Sequence, residues 1–211
     1  EKPVVIDDLC KLAARRDPAL VKFVEARPLC IVACHPRAVM ALFNWADVPL
    51  DLAHTRFVNL RAGDAESLAE MFPGEAATGG SLPEAGQPGE WIPWFPVIDR
   101  DRCRNCKQCL EFCLFGVYET DAAGRVADVC PDHCKTNCPA CARLCPECAI
   151  IFPKSMESPI NGAEIADEAA VRAASRALAE GDLRAALEER RKKRRALFKP
   201  EYRPGERWRP S

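Results

Sequence analysis

Apolar positions in the first 72 residues change period several times. From Ile6 to Glu25 they recur at helical spacing (Leu9, Leu12, Ala13, Leu20), with Asp7 and Asp8 placed where acidic side chains favour a helix start. Pro28-Leu-Cys-Ile-Val-Ala-Cys34 is a short apolar run, the pattern of a buried strand. Pro36–Trp45 reads as a helix with proline in its first turn. Arg56-Phe-Val-Asn-Leu60 reads as a second strand, and Asp64–Phe72 as a further helix capped by Asp64. Strands separated by helices predict a small α/β domain over residues 1–72, with parallel strands.

The periodicity then stops. Residues 73–91 are expected to be a linker, because Pro73–Glu90 holds five glycines and three prolines in eighteen residues and almost nothing apolar. An aromatic cluster, Trp91-Ile-Pro-Trp94-Phe95-Pro96, opens the next unit, residues 92–154, which closes on the strand-like Ala149-Ile-Ile-Phe152-Pro153. Residues 155–211 are expected to form a helical basic tail: Ala, Glu, Arg and Leu dominate from Ala163 to Phe198, with Gly181 as a break. Arg190–Arg195 is six consecutive basic residues, and the stretch from Arg184 to Ser211 carries +7 against −8 for the remainder.

The net charge of −1 hides that asymmetry. With 48% hydrophobic and 29% charged residues among 211, the chain is that of a soluble globular protein, and no apolar run approaches the roughly 18 residues of a membrane span. It opens on Glu1, which leaves room for an initiator or leader ahead of it, and the residues present contain no basic-plus-apolar signal segment.

The thirteen cysteines change the picture. Ten lie between Cys103 and Cys148, many of them two or three residues apart, and the total is odd. A secreted disulfide framework has separated cysteines in even number, whereas close spacing suits ligands converging on a metal centre. A reducing cytoplasm and a metalloprotein are expected.

The first run is Cys103-x2-Cys106-x2-Cys109-x3-Cys113. After a hairpin-like segment, Glu119–Arg125 with Gly124 as turn residue, comes Cys134-x3-Cys138-x2-Cys141-x3-Cys145-Pro146. The first run has bacterial-ferredoxin spacing, and residues 95–154 resemble the two-[4Fe–4S] ferredoxin family. The resemblance implies a pseudo-twofold pair of hairpin and helix units and one-electron transfer. It also implies interleaved ligands: three thiolates of a tight loop hold one cubane, and the fourth cysteine, at the start of the following helix, reaches the other. Cluster I would then be held by Cys103, Cys106, Cys109 and Cys145, and cluster II by Cys113, Cys134, Cys138 and Cys141. The chain departs from the family at Leu114, where proline is usual, and in the three residues between Cys134 and Cys138.

Two zinc sites built from C-x2-C pairs would leave the x3-Cys and Cys-Pro elements unexplained. Cys134-x3-Cys138-x2-Cys141 also has radical-SAM spacing, but that family carries an aromatic where this chain has Ala140 and needs a large barrel. Cys130 and Cys148 fall outside the eight and are expected to be spare buried thiols.

Val32-Ala-Cys34-His35-Pro36-Arg37, with Phe57-Val-Asn59-Leu60-Arg61, is similar to a stretch of the heterodisulfide reductase A-subunit family over residues 30–64. That resemblance implies help in binding an additional iron–sulfur cluster. The downstream cysteine of the family is replaced by Asp64, so Cys10, Cys30 and Cys34 are one short of a thiolate set. A third cluster there is not favoured: Cys30 and Cys34 are expected as buried strand residues and Cys10 as a helix-face residue. His35 is placed equally to cap the Pro36–Trp45 helix or to do chemistry; His54 and His133 carry no signal. Gly79-Gly80 is no phosphate loop, and no Ser/His/Asp arrangement stands out.

The expected fold is α+β: a dicluster ferredoxin-like domain preceded by a small α/β domain and followed by a helical basic tail. The expected function is relay of single electrons, as a carrier or wiring subunit of a larger oxidoreductase with no substrate chemistry of its own. Its partners would be redox proteins. The basic tail suggests a nucleic-acid-associated protein as the alternative, but Tyr202 and Trp208 are too few for a stacking platform, and an acidic remainder opposes phosphate.

Overall fold

The structure, a computed structural model, describes residues 4–25, 27–62 and 91–180. The helix expected over Asp64–Phe72, nearly all of the 73–91 linker and the Arg190–Arg195 run lie outside the described residues.

The first apolar stretch makes two short helices, α1 (Leu9–Ala14) and α2 (Ala19–Val24), and not one. Pro18 lacks an N–H and disfavours helical geometry in the residue before it, so the chain turns at Arg16, whose φ is 48°. Asp8 caps α1 by accepting from the Lys11 N–H at 3.0 Å, and Asp17 accepts from the Ala19 N–H at 2.9 Å. Strand β1 (Leu29–Ala33) and strand β2 (Thr55–Asn59) pair in parallel, Leu29 opposite Thr55 and Ala33 opposite Asn59. Between them runs α3 (Pro36–Trp45), which buries Ala38, Val39, Ala41, Leu42 and Phe43.

The second half is an internal repeat. Strand β3 (Val97–Ile98), a cysteine loop, α4 (Gln108–Phe112) and β4 (Tyr118–Thr120) are followed by β5 (Val126–Asp128), a second cysteine loop, α5 (Ala140–Leu144) and β6 (Ile150–Ile151). β4 and β5 form an antiparallel hairpin, and β3 pairs with β6, also antiparallel. At the hairpin tip Gly124 has φ 72°, and the Asp121 carboxylate accepts from the N–H groups of Ala123 and Arg125. Helix α6 (Glu168–Glu180) packs on α5, held by the Ser175 hydroxyl donating to the Leu144 carbonyl and by Arg102 gripping both oxygens of Glu168 at 2.7 Å.

Two hydrophobic cores meet at the β3–β6 ribbon. Val97 and Ile151, opposite one another, belong to the core that α1, α2 and α3 build around Leu20, Leu42 and Phe43. Ile98 and Ile150, the next pair, belong to the core of the cysteine-bearing repeat, with Trp94, Val117, Val126 and Phe152. Successive side chains of a strand point to opposite faces, so a two-stranded ribbon serves as one wall of both cores. Trp94 and Phe95 divide the same way. The two halves are therefore joined by buried apolar surface as well as by the linker.

Residues 155–163, expected to begin the tail, belong instead to this junction. The Phe152 N–H donates to the Ile160 carbonyl at 2.8 Å, and Ile160 and Asn161 are buried. Gly162 lies flat against Ala38, where a Cβ would come within 2.6 Å of the alanine methyl. Among the described residues no helix is long and apolar enough to cross a membrane.

Candidate metal centre

Helices α4 and α5 are both five residues long and end alike. Cys113 caps α4 with φ −69° and ψ 117°; Cys145 caps α5 with φ −71° and ψ 113°. Each of these cysteines thus stands at the C-terminus of a helix, not at the start of one as the sequence reading had it. The extended cap carries each thiol out of its own loop.

The electrostatic neighbours of the thiols sort them into two groups. Cys109 lies beside Cys103, Cys106 and Cys145, while Cys141 and Cys134 both lie beside Cys113, and Cys134 also beside Cys138. Each group joins three thiols of one loop with the cap thiol of the other repeat. The groups adjoin one another, since α4 packs on α5 and Cys141 is also a neighbour of Cys109. Cys103, Cys106, Cys109 and Cys145 line one cavity, walled elsewhere by Ile98, Val126 and Ile150; it encloses about 390 Å³, part of it open to solvent.

Both loops use the same backbone device. Asn105 (φ 54°) and Asn137 (φ 60°) are left-handed and immediately precede the middle cysteine of their loops, a conformation that asparagine tolerates better than most residues. The extra residue of the second loop therefore falls between Cys134 and Asn137. Asn105 also anchors its loop to the hairpin, donating from Nδ2 to the Gly124 carbonyl at 3.0 Å and accepting from the Val126 N–H at 2.9 Å.

Burial controls the thiols. It pushes Cys109 and Cys134 up to about 12, and Cys141 and Cys145 also above the ordinary thiol range. Such groups stay protonated unless a cationic body takes the proton's place, so binding of metal and loss of protons are coupled. Among the described residues no three His, Cys, Asp or Glu side chains converge tightly enough to hold a single ion. A cubane presents its irons at separated corners, and two four-thiol groups, one lining an apolar cavity, fit that larger body.

Hydrogen bonds also reach the sulfurs of these groups. The buried Tyr118 hydroxyl donates to Cys141 Sγ at 3.1 Å, and the Ala149 N–H donates to Cys145 Sγ at 3.3 Å. No spacing pattern marked Tyr118; the repeated Asn-Cys dipeptide was a signal the sequence did offer.

The other cysteines stand apart. Cys148 is buried, with φ 48°, but Cys130 is only half-buried, contrary to expectation. Cys30 is exposed on β1 where a buried residue was expected; Cys34, just past the strand, is half-buried, and Cys10 is buried on α1 near it. Burial raises Cys10 to about 12. His35 occupies the N-cap of α3 without a side-chain cap bond; its Nδ1 instead meets Asn59 Nδ2 at 3.0 Å. Burial, with Arg61 and Arg37 nearby, lowers its pKa, so His35 accepts there as a neutral ring.

The arginines of the same sequence phrases are struts. Arg37 donates to the carbonyls of Cys148 (2.9 Å) and Ala163 (3.2 Å), and Arg61 to that of Ser155 at 2.6 Å.

The chain is similar to a Methanocaldococcus jannaschii protein described as an uncharacterized ferredoxin, with 45% identity over 71 residues. The match covers 33% of this chain and 48% of the relative, so it spans about half of that protein's length. No protein-family model and no solved structure matches the chain.

Proposed function

We propose that this protein is an iron–sulfur electron carrier of ferredoxin type that relays single electrons through two [4Fe–4S] clusters. The observation that carries the reading is the cavity shared by Cys103, Cys106, Cys109 and Cys145, residues from opposite ends of an internal repeat. Similarity to a ferredoxin over a third of the chain and the thirteen cysteines support the iron–sulfur class.

When bound, each cluster supplies a centre that gains and loses one electron without net bond rearrangement. The chain's own residues supply the rest. Cys103, Cys106, Cys109 and Cys145 would hold one cluster; Cys113, Cys134, Cys138 and Cys141 the other. Ile98, Val126, Val117 and Ile150 keep water away from the sulfurs, and Tyr118 and Ala149 favour negative charge on Cys141 and Cys145. Packing of α4 on α5 sets the two groups side by side, as a relay requires. Cys106 is exposed, and Leu114 and Phe115 beside Cys113 are exposed apolar residues, so each group has an edge that a redox partner can approach. As a wiring subunit of a larger oxidoreductase the chain would use both edges.

Iron and acid-labile sulfide analysis of protein prepared without oxygen tests the reading. About eight of each per chain are expected, with an EPR signal on reduction. Zinc in place of iron, or a colourless and EPR-silent preparation, overturns it.

A further inference from the structure

Helix α6 and the loop that carries Cys103 and Cys106 enclose a pocket of about 640 Å³, part of it open to solvent, which electron relay does not use. Its polar lining is unusual in sign. Arg104, Arg172 and Arg176 face it with one carboxylate, Glu147, and one carboxamide, Gln108. Glu147 accepts from Arg172 Nη2 at 2.9 Å and lies 3.3 Å from Arg104 Nε. One negative charge is thus shared by two guanidiniums, and Arg176 pairs with no described carboxylate. The pocket is left with an excess of two positive charges.

Its donors are also under-used. Arg172 Nε is buried with no hydrogen-bond partner, although an N–H in that position ordinarily finds one. Gln108 Oε1 is likewise unpartnered, and turning that amide about its last bond would offer its NH2 group instead. Guanidiniums carry fixed forks of N–H groups that match the oxygens of phosphate in pairs. A doubly charged oxyanion would balance the excess charge and satisfy the orphaned donor.

We propose that this pocket is a binding site for a small phosphate-bearing anion, held by Arg104, Arg172 and Arg176. Ser175, anchored to Leu144, and Glu147, clasping Arg104 and Arg172, hold the walls in place before the anion arrives. Arg104, Gln108 and Glu147 also line the cavity of Cys103, Cys106, Cys109 and Cys145, so the pocket and that cavity share a wall, and the test is made on the chain with that cavity filled as it is in the native protein.

The test is calorimetric titration of the intact, anaerobically prepared chain with inorganic pyrophosphate at constant ionic strength. Saturable binding of one pyrophosphate is expected. Arg176→Gln, an exposed position that leaves the Glu147 pairs intact, should weaken it roughly tenfold or more, the loss of one charge-assisted contact. Arg56→Gln, which removes one positive charge at an exposed position of β2 in the first half of the chain, should leave the affinity unchanged. A chain with Arg190, Arg191, Lys192 and Lys193 all changed to Gln should still bind, which separates the pocket from the basic run. Absence of saturable binding overturns the proposal. So does equal weakening by Arg56→Gln, or loss of binding in the basic-run variant. An acidic peptide that binds at Arg176 where pyrophosphate does not would make the pocket a protein-docking surface and likewise overturn it.

Discussion

Arg37 Nη2 donates to the carbonyl oxygen of Cys148 across 2.9 Å, joining the first turn of α3 to the segment just after Cys145. The same guanidinium donates to the Ala163 carbonyl and lies 3.4 Å from Asp99, so one side chain ties together three parts of the junction. Arg37→Leu leaves two carbonyls without a donor and leaves Asp99 with Arg102 as its remaining cationic neighbour. A loss of about 2–4 kcal/mol is expected in anaerobic urea unfolding, with faster release of iron to a chelator.

The interleaved grouping makes a counting prediction. Cys103→Ala and Cys145→Ala should each remove the same half of the iron, and the double variant should remove no more than either alone. Cys113→Ala should remove the other half. Iron analysis of the four proteins decides it; additive losses from Cys103 and Cys145 would mean that each loop holds its own cluster.

Tyr118→Phe deletes one hydrogen bond to Cys141 Sγ and almost nothing else. That bond is stronger when the sulfur carries more negative charge, as it does after reduction. Its loss should lower one of two midpoint potentials by on the order of 50 mV and leave iron content unchanged, as redox titration followed by EPR would report.

Asp128 gives a pH dependence. Burial at the base of the hairpin holds its carboxyl at about 7 against an ordinary 3.8, opposed only in part by Arg100. Below about pH 4 folded and unfolded chains both carry the proton, and the group favours neither. As pH rises towards 7 the unfolded chain ionises while the folded one keeps its proton, so Asp128 progressively lowers stability. Above 7 the cost is constant. Asp128→Asn should therefore stabilise the protein at pH 8, by about 2–4 kcal/mol, and make little difference at about pH 3. Equal effects at the two pH values would show that the carboxyl is not held protonated.

Gly162 has φ 94°, and a Cβ there would come within 2.6 Å of the Ala38 Cβ and 2.9 Å of its backbone nitrogen. Gly162→Ala should destabilise by about 2–4 kcal/mol, through both the backbone conformation and the clash. The companion Gly124→Ala, also at positive φ but with open space around it, should cost less. Thermal unfolding of the two variants side by side makes the comparison.

Much of the local structure was legible in the sequence, because it depends on neighbours along the chain. Pro36 at the first turn marked a helix that runs to Trp45, and Gly124 marked the hairpin tip. The break between α1 and α2 was legible too, in Pro18, but helical periodicity on both sides masked it. Cysteine spacing by itself points to thiol groups, since three thiols within seven residues have little choice but to converge.

Contacts between distant residues were not readable in that way. Alternation along Val97-Ile98 and Ile150-Ile151 says that each strand has two faces, but not that both are buried, each in a different core. That was decided when β3 and β6 paired in register between the two halves. The roles of Arg37 and Arg61 as struts, of Tyr118 beside Cys141, and of Arg104, Arg172 and Arg176 around one pocket were decided likewise. The sequence by itself determined which residues can ligate, turn or cap, because these properties belong to the residue and its immediate neighbours. Tertiary structure alone decided which thiols share a cavity and which charges face one another, because burial and Coulomb interaction depend on distance in space.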